Sequence, residues 1–249
     1  MTARGLTPSH DLSAAAWIAP RLGGAFGAVT RAVPHGYPAY ARICHPPADT
    51  AGALTTWSHV ARTTGREAHP LMQWHALAGC DPGSSASGSL WPGAPPRVGH
   101  LAPEVLGPLC AVLAGFTTTP DDCSFGVWDG WGWIGSDDDS PLSLLPGAPR
   151  PAVVRLPARD YLLLAGPVEA ALQLGYRSRP DWFLPQSPSI FWPSDRAWFT
   201  ATEIDFDSTL VGGSGGLVAA LLAAPALDAW PVDGGDSLAI DADTRNPAV

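Results

Sequence analysis

The chain contains no lysine, so each of its 14 basic residues is an arginine, against 23 aspartates and glutamates. The formal net charge is -9, and the arginines do not gather into a basic stripe. Because a phosphate backbone is held by clustered cations, we expect no nucleic-acid partner. A GC-rich coding bias explains the missing lysine together with the abundant Ala, Gly, Pro and Arg.

Long apolar runs are missing as well. No stretch approaches the ~18 apolar residues of a membrane-spanning helix, and the first residues lack the basic and apolar regions of a signal peptide. The seven histidines are scattered, and the four cysteines form no CxxC pair of the kind that binds zinc. We therefore expect a cytoplasmic protein without a membrane span, with buried structural thiols at Cys44, Cys80, Cys110 and Cys123.

Apolar residues make up 46% of the 249, which is enough to build one large hydrophobic core. Alternation of apolar and polar residues predicts strands at 38–44, 123–128, 153–156, 160–165 and 197–206, and a turn at Asp129-Gly130 predicts a hairpin to 131–134. Helical spacing predicts helices at 54–64, 103–116 and 217–223, the last with Ser214 as its N-cap. This order of elements favours an α+β fold with a mainly antiparallel sheet.

The domain organisation follows from the breaks between these elements. We expect a single globular domain over residues 1–249, with residues 1–20 and 242–249 loosely ordered. Residues 80–99 are rich in Gly, Pro and Ser and predict a long surface loop.

The segment IDFDSTLV, residues 204–211, resembles the DxDxT motif of haloacid-dehalogenase-type phosphatases. The resemblance implies that Asp205 attacks phosphorus, that Asp207 handles the leaving-group proton and that Mg²⁺ bridges both to the phosphate. A later segment, GDSLAID, resembles the late acidic motif of that family, in which Asp236 would complete the metal site. A Mg²⁺-dependent phosphatase or phosphotransferase is therefore one functional alternative.

The spacing of the two acidic motifs argues against that alternative. Only about 30 residues separate them, which is too few for the parallel crossovers that would bring both to one sheet edge. The family's third motif also needs a lysine, and the chain has none. The structural alternative is a strand end whose carboxylates pair with Arg196 or cap the turn at Ser208.

Tryptophans are the second candidate feature, with 11 in the chain. Those in Gly-rich turns can stack on a sugar, a base or a partner's apolar side chain, or they can fill a core that is poor in Phe and Met. Our leading hypothesis is a binding domain for a protein partner rather than an enzyme, without a cofactor. A small-ligand or sugar-binding protein is a further alternative. The predicted recognition surface consists of Trp128, Trp131, Trp133, Trp192, Asp195 and Arg196.

Four longer segments carry a further resemblance: PHGYPAYARICHP, CSFGVWDGWGW, ARDYLLLAGP and SPSIFWPSDRAWFTATEIDFDSTLVGGS. Together they are similar to an uncharacterised bacterial protein family of high-GC genomes, for which no activity, cofactor or catalytic residue is known. The resemblance covers residues 22–236 and implies an intracellular standalone domain, in agreement with the expected cytoplasmic location.

Overall fold

The computed structural model describes residues 5–84, 86–135, 145, 147–179 and 181–246. The strands are β1 (Thr7–Pro8), β2 (Ala39–Cys44), β3 (Cys123–Trp128), β4 (Val153–Arg155), β5 (Asp160–Gly166), β6 (Gly175–Arg179), β7 (Trp182–Pro185), β8 (Ile190–Pro193), β9 (Phe199–Ala201), β10 (Ser208–Gly213) and β11 (Ala229–Val232). The α-helices are α1 (Val29–Ala32), α2 (Trp57–Thr64), α3 (Trp74–Ala78), α4 (Pro103–Ala114) and α5 (Gly215–Ala223). Short 3-10 helices lie at Leu12–Ala14, Ala19–Arg21 and Val168–Gln173.

Nine of these strands form one antiparallel sheet in the order β1-β5-β3-β8-β9-β10-β2-β11, with β4 also paired to β5. The strands β6 and β7 form a separate hairpin. The α+β class and the mainly antiparallel sheet are thus confirmed, and the elements make one compact domain.

The sheet is buried on both faces because side chains alternate along each strand. One face presents Phe125, Phe191 and Trp198 to α4, α5 and the 3-10 helix at 168–173. The other face presents Trp192 and Phe199 to the N-terminal segment and α1. A third cluster packs α2 and α3 against the end of β2.

Several sequence predictions match the structure closely. The strand at 123–128 and the hairpin of β4 and β5 are confirmed. The last predicted helix corresponds to α5, and the Ser214 hydroxyl accepts a hydrogen bond from the N–H of Leu217, as an N-cap does. Residues 80–99 contain no helix or strand in their described part, although Trp91 packs back into the core.

Two predictions about strands are wrong. Residues 131–134 form turns instead of a second hairpin strand, because β5 and β8 already occupy the two edges of β3. The predicted strand at 197–206 ends at Ala201, and the chain turns so that β10 pairs back on β9. Gly212 and Gly213 form the end of β10.

The described parts of both chain ends contact the rest of the domain. Near the N-terminus β1 pairs with β5, and Ile18 is fully buried. Near the C-terminus the carboxylate of Asp243 accepts from His69, and Asn246 is buried. All four cysteines are free thiols, and three of them are buried. Among the described helices, none has the length and apolar character needed to cross a membrane.

Candidate functional site

Three acidic residues, Glu203 and the two aspartates of the DxDxT-like segment, lie in the turn between β9 and β10. We call residues 202–207 the acidic turn. Its backbone is fixed by the N–H of Phe206, which donates to the Glu203 carbonyl at 3.0 Å, and by the N–H of Gly99, which donates to the Phe206 carbonyl at 2.8 Å. Every second residue from 203 to 207 carries a carboxylate: Glu203, Asp205 and Asp207.

Arg159, next to β5, binds the first two of these carboxylates. Its Nη2 donates to Glu203 Oε1 at 3.1 Å and to Asp205 Oδ2 at 2.6 Å. The guanidinium also lies 5.9 Å from the ring centroid of Trp128. One arginine therefore joins the acidic turn to the end of β3.

Arg42 on β2 binds the third carboxylate and is only 1% exposed. Its Nη2 lies 3.3 Å from Asp207 Oδ1, and its Nη1 donates to the carbonyls of Pro70 and Met72 at 3.1 and 2.7 Å. The guanidinium stacks 5.1 Å from the Trp57 ring centroid. Burial raises the pKa of Asp207, and the positive charge of Arg42 offsets only part of this effect.

The three aspartates of the proposed magnesium site have three different partners. Asp205 binds Arg159, Asp207 binds Arg42, and the Asp236 carboxylate accepts from the backbone N–H of Asp233 at 2.8 Å. Within the part of the chain that the structure describes, no group of three or more His, Cys, Asp or Glu side chains is placed to hold a metal ion. This arrangement does not fit a magnesium ion, so we derive no catalytic step through one.

Three adjoining cavities surround the acidic turn, with volumes of about 100, 250 and 260 Å³. We call them the inner, middle and outer cavities, and together the groove. The inner and middle cavities share Arg31, Ala32, Ala158, Arg159 and Glu203. The middle and outer cavities share Phe26, Asp205, Phe206 and Ala239.

The groove is lined by charged as well as by apolar side chains. The Nε–H groups of Arg42 and Arg159 are buried beside it and have no hydrogen-bond acceptor among the described residues. Three exposed apolar side chains stand at the outer cavity: Phe26 (81% exposed), Val98 (38%) and Ile240 (48%). Charged side chains and an apolar rim therefore occur in one place.

The predicted recognition surface divides into two parts in the structure. Trp128, Trp131 and Trp133 are half-buried and pack against the two faces of the sheet core, with the Trp128 and Trp131 rings 5.4 Å apart. Trp192 is fully buried in β8, where it stacks on Phe199 at 5.6 Å. We therefore assign Trp192 a packing role rather than a surface contact.

Asp195 and Arg196 do lie at the surface, in the turn after β8. Burial acts to raise the pKa of Asp195, but hydrogen bonds from Thr118, Ala197 and Thr117 outweigh it and lower that pKa below its ordinary value. Arg196 has a φ of 57° and lies 5.4 Å from the ring centroid of Trp17. No ring contact or ion pair joins these two residues to the Trp128 group within the described ranges.

Asp205 and Asp207 of the acidic turn were predictable from the sequence, but the groove around them was not. The sequence does mark Arg42 as unusual, because this charged residue stands in the apolar strand PAYARIC on the same face as Tyr40 and Cys44. The residues next to Arg159 in the sequence do not predict its contacts with the acidic turn. No protein-family model, curated protein or solved structure matches the chain, so the groove geometry carries the functional argument.

Proposed function

We propose that the protein binds a small organic ligand in the groove. The observation that carries this proposal is the set of three adjoining cavities, which are lined by charged and apolar side chains together. Arg31 and Arg159 line both the inner and the middle cavity, and Arg42 lines the outer one. A few charged groups in a mostly apolar pocket are typical of small-molecule sites.

The shape and rim of the groove support the same proposal. The three cavities together reach the size range of small-molecule sites. Single exposed apolar residues are ordinary on protein surfaces, but Phe26, Val98 and Ile240 surround one cavity. This apolar rim suits a ligand that has an apolar part.

The acidic turn gives the groove a fixed wall. Arg159 and Arg42 hold its three carboxylates from opposite ends, so their geometry is set before any ligand arrives. A site that is ordered in advance loses less conformational entropy on binding. The DxDxT-like segment thus has a supporting role in the proposed site.

Thermal denaturation with a panel of organic acids, amines, sugars and nucleosides tests the proposal. A ligand that binds only the folded state raises the melting temperature. Ala158→Trp places a large ring in both the inner and the middle cavity from an exposed position, so we expect it to abolish the stabilisation. Ala51→Trp is the control, because Ala51 is equally exposed and lines none of the three cavities. Equal stabilisation of the Ala158→Trp variant and the wild type would overturn the proposal.

A protein-binding surface at the Arg196 turn is a second candidate function. It is favoured by the guanidinium groups of Arg21 and Arg196, which lie 5.6 and 5.4 Å from the ring centroid of Trp17. The φ of Arg196 lies in a region that a non-glycine residue adopts at a cost, which is typical of functional turns. A stoichiometric complex that Arg196→Ala dissolves and the exposed Arg62→Ala leaves intact would support this candidate. A complex that survives Arg196→Ala would contradict it.

A further inference from the structure

The inner cavity is lined by hydrogen-bond donors. The side chain of Tyr161 is nearly buried, with 6% exposure, and its hydroxyl makes no hydrogen bond to any described residue. Burial, assisted by the charge of Glu203, raises the pKa of Tyr161, so the hydroxyl keeps its proton. The hydroxyl of Ser189 accepts from the N–H of Trp128 at 3.1 Å, which leaves its own proton available.

The charges around this cavity favour an anion. Arg31 lines both the inner and the middle cavity, is exposed, and forms no ion pair with a described residue. The opposing carboxylate in the inner cavity, Glu203, is already bound to Arg159 Nη2 at 3.1 Å. A bound amine would face Arg31 and the unpaired donors, whereas an anion would accept from them.

The size and the walls of the two cavities narrow the choice of anion. The inner cavity holds about 100 Å³, and Leu22, Leu156 and Ile190 are among its apolar lining residues. The middle cavity, at about 250 Å³, is bordered by Phe26 and Phe206. A carboxylate fits the smaller space better than a doubly charged phosphate, because apolar walls penalise extra charge.

We infer that the ligand is an organic monocarboxylate. Its carboxylate accepts from the hydroxyls of Tyr161 and Ser189 in the inner cavity, with Arg31 supplying the counter-charge. Its apolar body lies against Phe26 and Phe206 in the middle cavity. This inference rests on the proposed function, since it names the chemical class that the groove binds.

Isothermal titration calorimetry with matched compounds tests the inference. The probes are hexanoate and phenylacetate, their neutral amides hexanamide and phenylacetamide, the amines hexylamine and phenethylamine, and inorganic phosphate. We expect at least one acid to bind, its amide and amine to bind at least tenfold more weakly, and phosphate to bind more weakly than the acid. Binding of an amide or amine as tightly as the acid overturns the carboxylate inference and leaves the proposed function standing. The carboxylate inference is also overturned if phosphate binds more tightly than the acid, or if neither acid binds. In either case the compound panel with the Ala158→Trp variant tests the proposed function separately.

Two variants locate the carboxylate. Tyr161→Phe removes a hydroxyl that has no partner among the described residues, so folding stability should stay unchanged while acid affinity falls about tenfold or more. Arg31→Gln should weaken the acid and leave its amide unaffected. Tyr176→Phe and Arg62→Gln are the matched controls, because neither residue lines the groove. Unchanged acid binding in both Tyr161→Phe and Arg31→Gln would place the ligand elsewhere and overturn the inference.

Discussion

At the scale of single residues, Arg42 and Asp207 form an ion pair whose members differ in burial. Arg42 is buried and also binds two backbone carbonyls, whereas the Asp207 side chain is 22% exposed. Replacing Arg42 by Met leaves a carboxylate and two carbonyls without their donor. We expect Arg42→Met to lower the free energy of unfolding by about 3–5 kcal/mol.

The partner variant Asp207→Asn should behave differently. Burial raises the pKa of Asp207 and so penalises its charge in the folded state, whereas a neutral amide avoids this penalty and keeps an acceptor oxygen for Arg42. We expect a change within about 1 kcal/mol. Urea denaturation of both single variants and of the double variant measures the coupling. Equal losses in the two single variants would contradict this account.

At the scale of elements, the acidic turn depends on a close backbone approach at Gly99. A Cβ added at Gly99 would lie 2.7 Å from the carbonyl oxygen of Ile204, and Gly99 has a φ of 68°. Gly65, at the end of α2, has a φ of 69°, and a Cβ there would meet nothing within 4 Å. Gly65→Ala therefore measures the cost of the backbone conformation alone.

We expect Gly65→Ala to lower the free energy of unfolding by about 1 kcal/mol, the usual cost of this conformation for a residue with a Cβ. Gly99→Ala adds the steric clash and should cost more than twice as much. Thermal denaturation of the two variants under identical conditions gives the comparison. Equal melting temperatures would show that the chain around Ile204 adjusts freely and that the acidic turn is not fixed by this contact.

Local patterns predicted some elements and not others. The helix α4 and the strand β3 were predictable because their periodicity and end residues are local. The short elements α3 and β8 were missed, since four or five residues carry too little periodicity. The groove was missed for a different reason, because its residues are distant in sequence. Arg42 and Asp207 are 165 positions apart, and only the pairing of β2 with β10 brings them together.

At the scale of the whole molecule, two buried histidines link stability to pH. His45 is enclosed, with Nδ1 2.6 Å from the Arg97 carbonyl and Nε2 3.0 Å from the Thr209 hydroxyl, and burial lowers the pKa of His45 to about 3. His100 accepts from the N–H of Ser187 at 3.1 Å, and burial, with the charge of Arg97, lowers the pKa of His100 to about 4. Both rings are therefore neutral in the folded protein.

The sign of the pH effect follows from these shifts. An ordinary histidine has a pKa of 6.5, so below that pH the unfolded chain binds protons that the folded protein does not. The free energy of unfolding should fall as the pH drops from about 6.5 to about 4, by up to ~1.4 kcal/mol per pH unit for each histidine. Asp207 and Asp228, whose pKa values burial raises, take up protons in the folded state and reduce this slope.

The variant His100→Asn measures how much His100 alone contributes to the fall in the free energy of unfolding at low pH. Its amide oxygen can replace Nδ1 as the acceptor for the Ser187 N–H, and the side chain no longer titrates. Urea denaturation at several pH values between about 4 and 7 should give a slope smaller than that of the wild type by up to ~1.4 kcal/mol per pH unit. The comparison uses slopes because the smaller side chain also leaves a cavity, which lowers stability equally at every pH. An unchanged slope would mean that His100 becomes protonated within the folded protein, so that the acid response comes from His45 and the carboxylates.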